Sequence, residues 1–328
     1  MTRMTLERCQ AGVYLGAILL GLATGSGFPE VRPLLERLLW PTLVVLLYAT
    51  FLQMPLVRLR RASRDRRFAL AMLLGNFVVL PMLVWGLVEL FGFDPATRLG
   101  VLLVLLVPCT DWFITFSQLG RGETLRAVAS TPLNLILQLL LLPAYLWLMA
   151  DETGLDGWGM GELLPAVLVV LAPLAAAALT ESLIGRHPRL EPAKNMAAWG
   201  PVPLLGLTVF LIAAAHVGEV ASALAQLASV VPAFVLFLML AVLLAKLMAR
   251  WLALPARQGR TLAFSFGTRN SFVVLPLALS LPAGWETTAL VIVTQSLVEL
   301  FGMVLYMWAV PGRVFPDEGH AEDRSSAE

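Results

Sequence analysis

Arg269 is the residue in this chain that most demands a partner. It stands in Ser265-Phe266-Gly267-Thr268-Arg269-Asn270-Ser271-Phe272-Val273-Val274-Leu275-Pro276, a polar interruption inside an otherwise apolar run. A guanidinium held in hydrocarbon costs roughly 3 kcal/mol or more unless an anion, backbone carbonyls or water meet it. Gly267 and Pro276 bracket the polar residues, so the run reads as a helix that stops, exposes backbone groups and restarts. Lipid permits such a break only where protein or a wet cavity surrounds it, and in carriers such breaks mark binding sites.

A second interruption is Val107-Pro108-Cys109-Thr110-Asp111. Pro108 removes a backbone donor and crowds the preceding turn, freeing carbonyls that Thr110 and Asp111 can partly satisfy. Asp111 and Arg269 are each costly alone in lipid, and a charge pair between them is the expectation. Its bland role is neutralisation; its sharper role is a gate in which an arriving anion or proton competes for Arg269. Glu299 follows Gln295 by one turn on the same helical face, and Asn134 and Gln138 repeat that spacing. Such pairs suit helix gluing, and they equally suit an ion or proton site, since a carboxylate taken out of water can exchange a proton near neutrality. Cys109 alone reads first as a small buried packing group. His216 and Glu219 supply only two ligands at a span end, so no metal site is expected.

The elements that must position these residues are membrane helices. With 59% hydrophobic and 14% charged residues in 328, the chain is not a water-soluble globule of ordinary composition. A membrane helix needs about 20 apolar residues, so this length holds roughly ten. Apolar runs fall at 11–27, 36–56, 68–92, 98–118, 125–149, 161–181, 195–215, 223–249, 261–280 and 288–310. Alternate loops then divide the basic residues nineteen against three, with Arg269 left inside, which places both termini in the cytoplasm of a multi-pass inner (plasma) membrane protein. The charges are spread among loops rather than pooled, so nothing points to nucleic acid; the bilayer is the partner. Two cysteines without metal or redox spacing exclude a disulfide framework.

The halves repeat. An offset of 161 residues lays Asn134, Gln138, Tyr145 and Trp147 on Gln295, Glu299, Tyr306 and Trp308, and Cys109 opposite Asn270. Five spans per half is odd, so the second copy enters the membrane inverted, the architecture of alternating-access carriers. The expected organisation is all-α, with residues 1–150 the first five-helix repeat, 151–312 the second and 313–328 a disordered cytoplasmic tail, and with the two broken helices, spans four and nine, crossing each other.

Pro108-Cys109-Thr110, Asn270-Ser271-Phe272 and Leu297-Val298-Glu299 resemble motifs of the bile acid:sodium symporter superfamily, and within it the arsenite efflux permease branch. The resemblance implies a core of spans three to five and eight to ten, a panel of spans one, two, six and seven, and Cys109 as the thiol that meets the metalloid. This sequence departs from the branch at three places: its ninth-span Glu falls at Val273, Arg269 stands where a small neutral residue is expected, and Asp111 replaces a small residue. A guanidinium beside the crossing brings the charge that sodium would bring and repels sodium, which favours a proton as coupling ion.

The reading is a secondary carrier of arsenite or a related metalloid, directed outward. Cys109, Arg269, Asn270 and Ser271 form its substrate group, and Thr110, Asp111, Asn134, Gln138, Gln295 and Glu299 its coupling group. The alternative cargo is an organic anion, a carboxylate or sulfonate paired with Arg269. Neither needs a cofactor. No GxxxxGK[ST] phosphate loop and no paired acids or nucleophile at a membrane surface point to an ATPase or an enzyme.

Overall fold

The computed structural model describes residues 10–53, 65–149, 160–187, 189, 191–282 and 284–316. α1 (Gln10–Gly27) leads through one 3-10 turn into α2 (Arg32–Phe51), and α3 (Arg66–Phe91) carries a π turn at Gly75–Val79. The next span is split into α4 (Pro95–Leu105) and α5 (Trp112–Leu119). Then come α6 (Thr124–Met149), α7 (Met160–Arg186), the short α8 (Glu191–Ala197), α9 (Pro201–Ala215) and the long α10 (Val217–Trp251). A second split span gives α11 (Ala256–Gly267) and α12 (Ser271–Leu279), and α13 (Glu286–Ala309) ends in a π turn over Val310–Val314.

The surface of this all-helical protein is that of a membrane protein. Leu19, Leu140, Met239 and Leu305 are exposed on helix sides, where a water-soluble fold would place polar residues. Trp147, Trp251 and Trp308 are exposed at the ends of α6, α10 and α13, where indoles favour the membrane–water boundary. Among the described residues, six helical runs are long and apolar enough to cross: Pro29–Phe51, Arg66–Phe91, Thr124–Met149, Leu168–Arg186, Gln226–Trp251 and Glu286–Val314. That is fewer than the ten spans expected. The difference has a physical source, because α1 and α9 are short and each split span is two pieces, neither long enough alone.

α9 packs on α1 and α2, and α2 on α7; α13 packs on α4, α10 and α12, α10 on α11, and α11 on α5. The first set is the grouping the resemblance assigns to a panel, the second that of a core. Small residues let α1 approach α9: a Cβ on Gly21 would lie 2.5 Å from the carbonyl oxygen of Phe210, and one on Gly25 would strike the backbone of Ala214. Tyr14 of α1 stacks on Trp112, the first residue of α5, with ring centroids 6.1 Å apart, so the panel touches the core beside the first break.

Three expectations need correction. Pro276 does not end a helix; it lies inside α12, where the restart at Ser271 has already made the break and the proline costs a single hydrogen bond within a packed element. The tail does not begin at residue 313. Phe315 is buried over Gly259, and its carbonyl accepts Nε of Arg260 at 2.9 Å, an anchor strong enough to order the chain to that point. Residues 317–328 of the expected tail and the junction between the expected repeats lie outside the described residues. Span edges also move: the second span starts at Arg32, the seventh at Pro201 and the eighth at Val217.

Asp65 fixes the start of α3. It accepts the backbone N–H groups of Arg67 and Phe68 and Nε2 of Gln258, and pairs with Arg126 at 2.7 Å. Partial burial by itself would raise its pKa, but the bonds from Phe68 and Gln258 and the Arg126 charge outweigh it and hold the carboxyl below its ordinary value. A depressed carboxylate contributes stability that is fully present above its unfolded-state pKa and is lost as pH falls through the folded-state value. Asp65→Asn is therefore expected to melt below wild type at neutral pH and to converge with it in acid, which paired melting curves across pH will show.

Candidate functional site

The two breaks meet through their backbones. Val107-Pro108-Cys109 and Thr268-Arg269-Asn270 run antiparallel around a bridge between Pro108 and Arg269. Cys109 N–H donates to Thr268 O at 3.2 Å, and Asn270 N–H donates to Val107 O at 2.8 Å. In this kind of pair the facing residues do not bond each other; their N–H groups point outward. Pro108 therefore loses nothing by lacking a donor. Arg269 directs its own N–H to Glu299 Oε2 at 2.8 Å.

Around this crossing the side chains form two linked sets. Gln295 Nε2 donates to the same Glu299 oxygen at 2.7 Å, and Ser271 joins Gln295 Oε1 at 3.3 Å and Ser296 at 2.7 Å. On the other side Asn270 Nδ2 donates to Thr110 Oγ1 at 3.1 Å, and Cys109 Sγ donates to Asp111 Oδ1 at 3.2 Å. Cys109, Thr110, Asn270, Ser271, Gln295 and Glu299 are all buried. α13 delivers Gln295, Glu299, Met303 and Tyr306 to this place from one face, and Gly267 lets it come close: a Cβ there would lie 2.6 Å from the Tyr306 ring and 2.7 Å from Met303 Cε.

The guanidinium of Arg269 does not pair with Asp111, as its sequence position suggested. Its bonds go to oxygens on the far side of the crossing: Phe266 O at 2.7 Å, Ser265 O at 3.0 Å, Asn76 Oδ1 at 3.2 Å and Leu105 O at 3.3 Å. Its carbon lies 5.3 Å from the centre of the Phe237 ring, a cation–π contact. Geometry explains the choice. The residue's backbone faces Glu299 and α13, and its side chain leaves in the direction of α3 and α10.

Asn134 and Gln138 are buried in α6, yet among the described residues none of their side-chain amide atoms has a hydrogen-bond partner, and nothing bonds them to the Glu299 set. In the offset by 161 residues the N–H that serves Glu299 corresponds to Pro108, which has none to offer Gln138. Sequence reasoning missed Asn76 and Ser265. A signal was present for Asn76, an amide in the apolar third span. The tyrosines that mark the repeat each bond a backbone carbonyl: Tyr145 OH donates to Phe77 O, and Tyr306 OH to Leu238 O. Among the described residues no group of three His, Cys, Asp or Glu side chains could hold a metal ion.

An all-helical membrane protein with two interrupted helices joined back to back is the class these features define. The chain belongs to the sodium bile acid symporter family, whose sequence model matches residues 40–223, more than half of it. Members of that family are transporters. No curated protein matches the chain. The match includes the first break and α6 and stops before Arg269, Asn270 and Glu299, and nothing in it separates the arsenite efflux branch from the others.

Removing the Glu299 carboxylate would strand the Arg269 N–H and the Gln295 amide, buried donors whose loss of a partner costs about 1–3 kcal/mol each. Glu299→Ala should lower the melting temperature of the purified protein clearly more than Glu299→Gln, which keeps an acceptor oxygen. Equal losses in the two variants would mean that these bonds do not hold the crossing.

Proposed function

We propose that this chain is a secondary carrier that works by alternating access between two inverted five-span repeats and moves a neutral metalloid hydroxide such as arsenite outward across the inner membrane, both termini being cytoplasmic. The position of Cys109 carries the reading. It is buried in the extended segment where two helices break, the midplane position at which discontinuous helices place a cargo. Arsenite exchanges hydroxide for a soft sulfur ligand. The As–S bond forms as an As–O bond breaks, and the thiol proton leaves with the departing hydroxide as water. Asp111, 3.2 Å from the sulfur, is placed to pass that proton. A single sulfur ligand holds the cargo weakly enough to release it.

Contacts that recur at the 161-residue offset support the repeat. The backbone bridge joins Pro108 to Arg269, and the two tyrosine bonds span the same sequence distance of 68 residues. Glu299 with Gln295 is the proposed proton-coupling group. The organic-anion reading has lost its main support, since the guanidinium that would hold a carboxylate is engaged by four oxygens and buried.

A ligand that binds the folded state raises its melting temperature by mass action. Arsenite and antimonite are expected to stabilise the wild-type protein, and Cys109→Ala is expected to abolish that shift and to cut metalloid accumulation by everted vesicles at least about tenfold, the loss of roughly 1.4 kcal/mol of binding. Stabilisation by a carboxylate or sulfonate instead, undisturbed in Cys109→Ala, would overturn the proposal.

A further inference from the structure

We infer that the Arg269 guanidinium is a tethered cation filling a monovalent-cation site built where the two broken helices meet, so that the native chain takes up no external cation there and admits one when the side chain is shortened.

The donors around the guanidinium argue for this. Leu105 is the last residue of α4, and Ser265 and Phe266 lie in the last turn of α11. In a continuous helix their carbonyls would accept the N–H groups of Cys109, Arg269 and Asn270. The crossing diverts all three donors, to Thr268 O, Glu299 Oε2 and Val107 O. What remains is a set of carbonyl oxygens at the negative ends of two half-helices, the arrangement that coordinates small cations in discontinuous membrane helices. Asn76 completes it. Its Nδ2 donates to Met72 O at 3.1 Å and Ser265 Oγ at 3.0 Å, which fixes the amide with Oδ1 toward the charge.

The site is also placed symmetrically. Leu105 and Phe266, which each give a carbonyl, are separated by the same 161 positions as Pro108 and Arg269; so are Asn76 and Phe237, which give an amide oxygen and a ring face. One positive charge thus stands where corresponding positions of the two halves converge. A charge covalently attached there leaves no vacancy for a mobile ion of the same sign, and the repulsion at contact distance adds to the steric exclusion. This rests on the carrier reading only for its meaning in the transport cycle; cation binding itself is independent of cargo.

The test is thermal melting of the purified full chain, without cargo, in sodium, lithium, potassium or choline chloride at equal ionic strength. Wild type is expected to melt at one temperature in all four. Arg269→Ala and Arg269→Gln are expected to melt several degrees lower in choline and to recover most of that loss, saturably, with an alkali cation or with guanidinium at concentrations far below those that denature. Saturable stabilisation of wild type by an alkali cation over choline overturns the inference, as do neutral variants that fold but are indifferent to every cation. If neither variant can be purified, the wild-type comparison decides. Because no metalloid is present, failure here leaves the Cys109 reading standing, and failure of that reading leaves this one untouched.

Discussion

Two backbone hydrogen bonds, Cys109 N–H to Thr268 O and Asn270 N–H to Val107 O, hold together the interruptions on which the whole interior is arranged. They use donors that would otherwise have continued the helices, and so they leave carbonyls of α4 and α11 without their normal partners. A buried unpaired polar group costs about 1–3 kcal/mol, and several together would make the crossing untenable in a bilayer. A guanidinium in the same place would be untenable by itself. Each is the answer to the other, and Glu299 closes the account by accepting the one remaining N–H at the bridge, that of Arg269.

The scaffold works toward that arrangement from several directions. α13 lays a face of Gln295, Glu299, Met303 and Tyr306 against the second break, with Gly267 as the point of closest approach. The π turn of α3 presents Asn76 to the charge from the opposite side. At the loop end, Arg260 at the start of α11 bonds both Phe315 O and Arg121 O, so the chain beyond α13 and the corner after α5 are tied to the first half of the broken helix. Trp112 and Phe272, at the heads of α5 and α12, meet edge to face with centroids 5.5 Å apart. Rigid backbone at the centre and aromatic contacts between the second halves leave few ways for the two pieces to shift independently.

Much of this could be read from residue types. Arginine, aspartate, proline and glycine in apolar runs marked both breaks, and the spacing of Gln295 and Glu299 placed them on one face. What escaped was direction. Whether Arg269 turns toward Asp111 or away to Asn76 depends on which side of an extended segment its side chain leaves, and that follows from the pairing of Pro108 with Arg269, a contact between distant parts of the chain. Pro276 reads as punctuation because proline usually is, but it is the sixth residue of α12, whose start at Ser271 already makes the break. The amides of Asn134 and Gln138 looked equivalent to Gln295 and Glu299 by spacing, but the N–H that completes the latter set has a proline in its place. The count of spans was legible as apolar runs and not as helix lengths, since a split span never presents one full-length rod.

The close seat of α1 on α9 bears on biogenesis. α1 is synthesised well before α9, so the backbone of Phe210 and Ala214 against which Gly21 and Gly25 fit appears only after α2 to α8 have been made. Until then its glycine stripe must be covered by lipid or by the insertion machinery. Closure of the panel consequently waits for α9, yet it can precede the synthesis of α10 to α13, which supply most of the core.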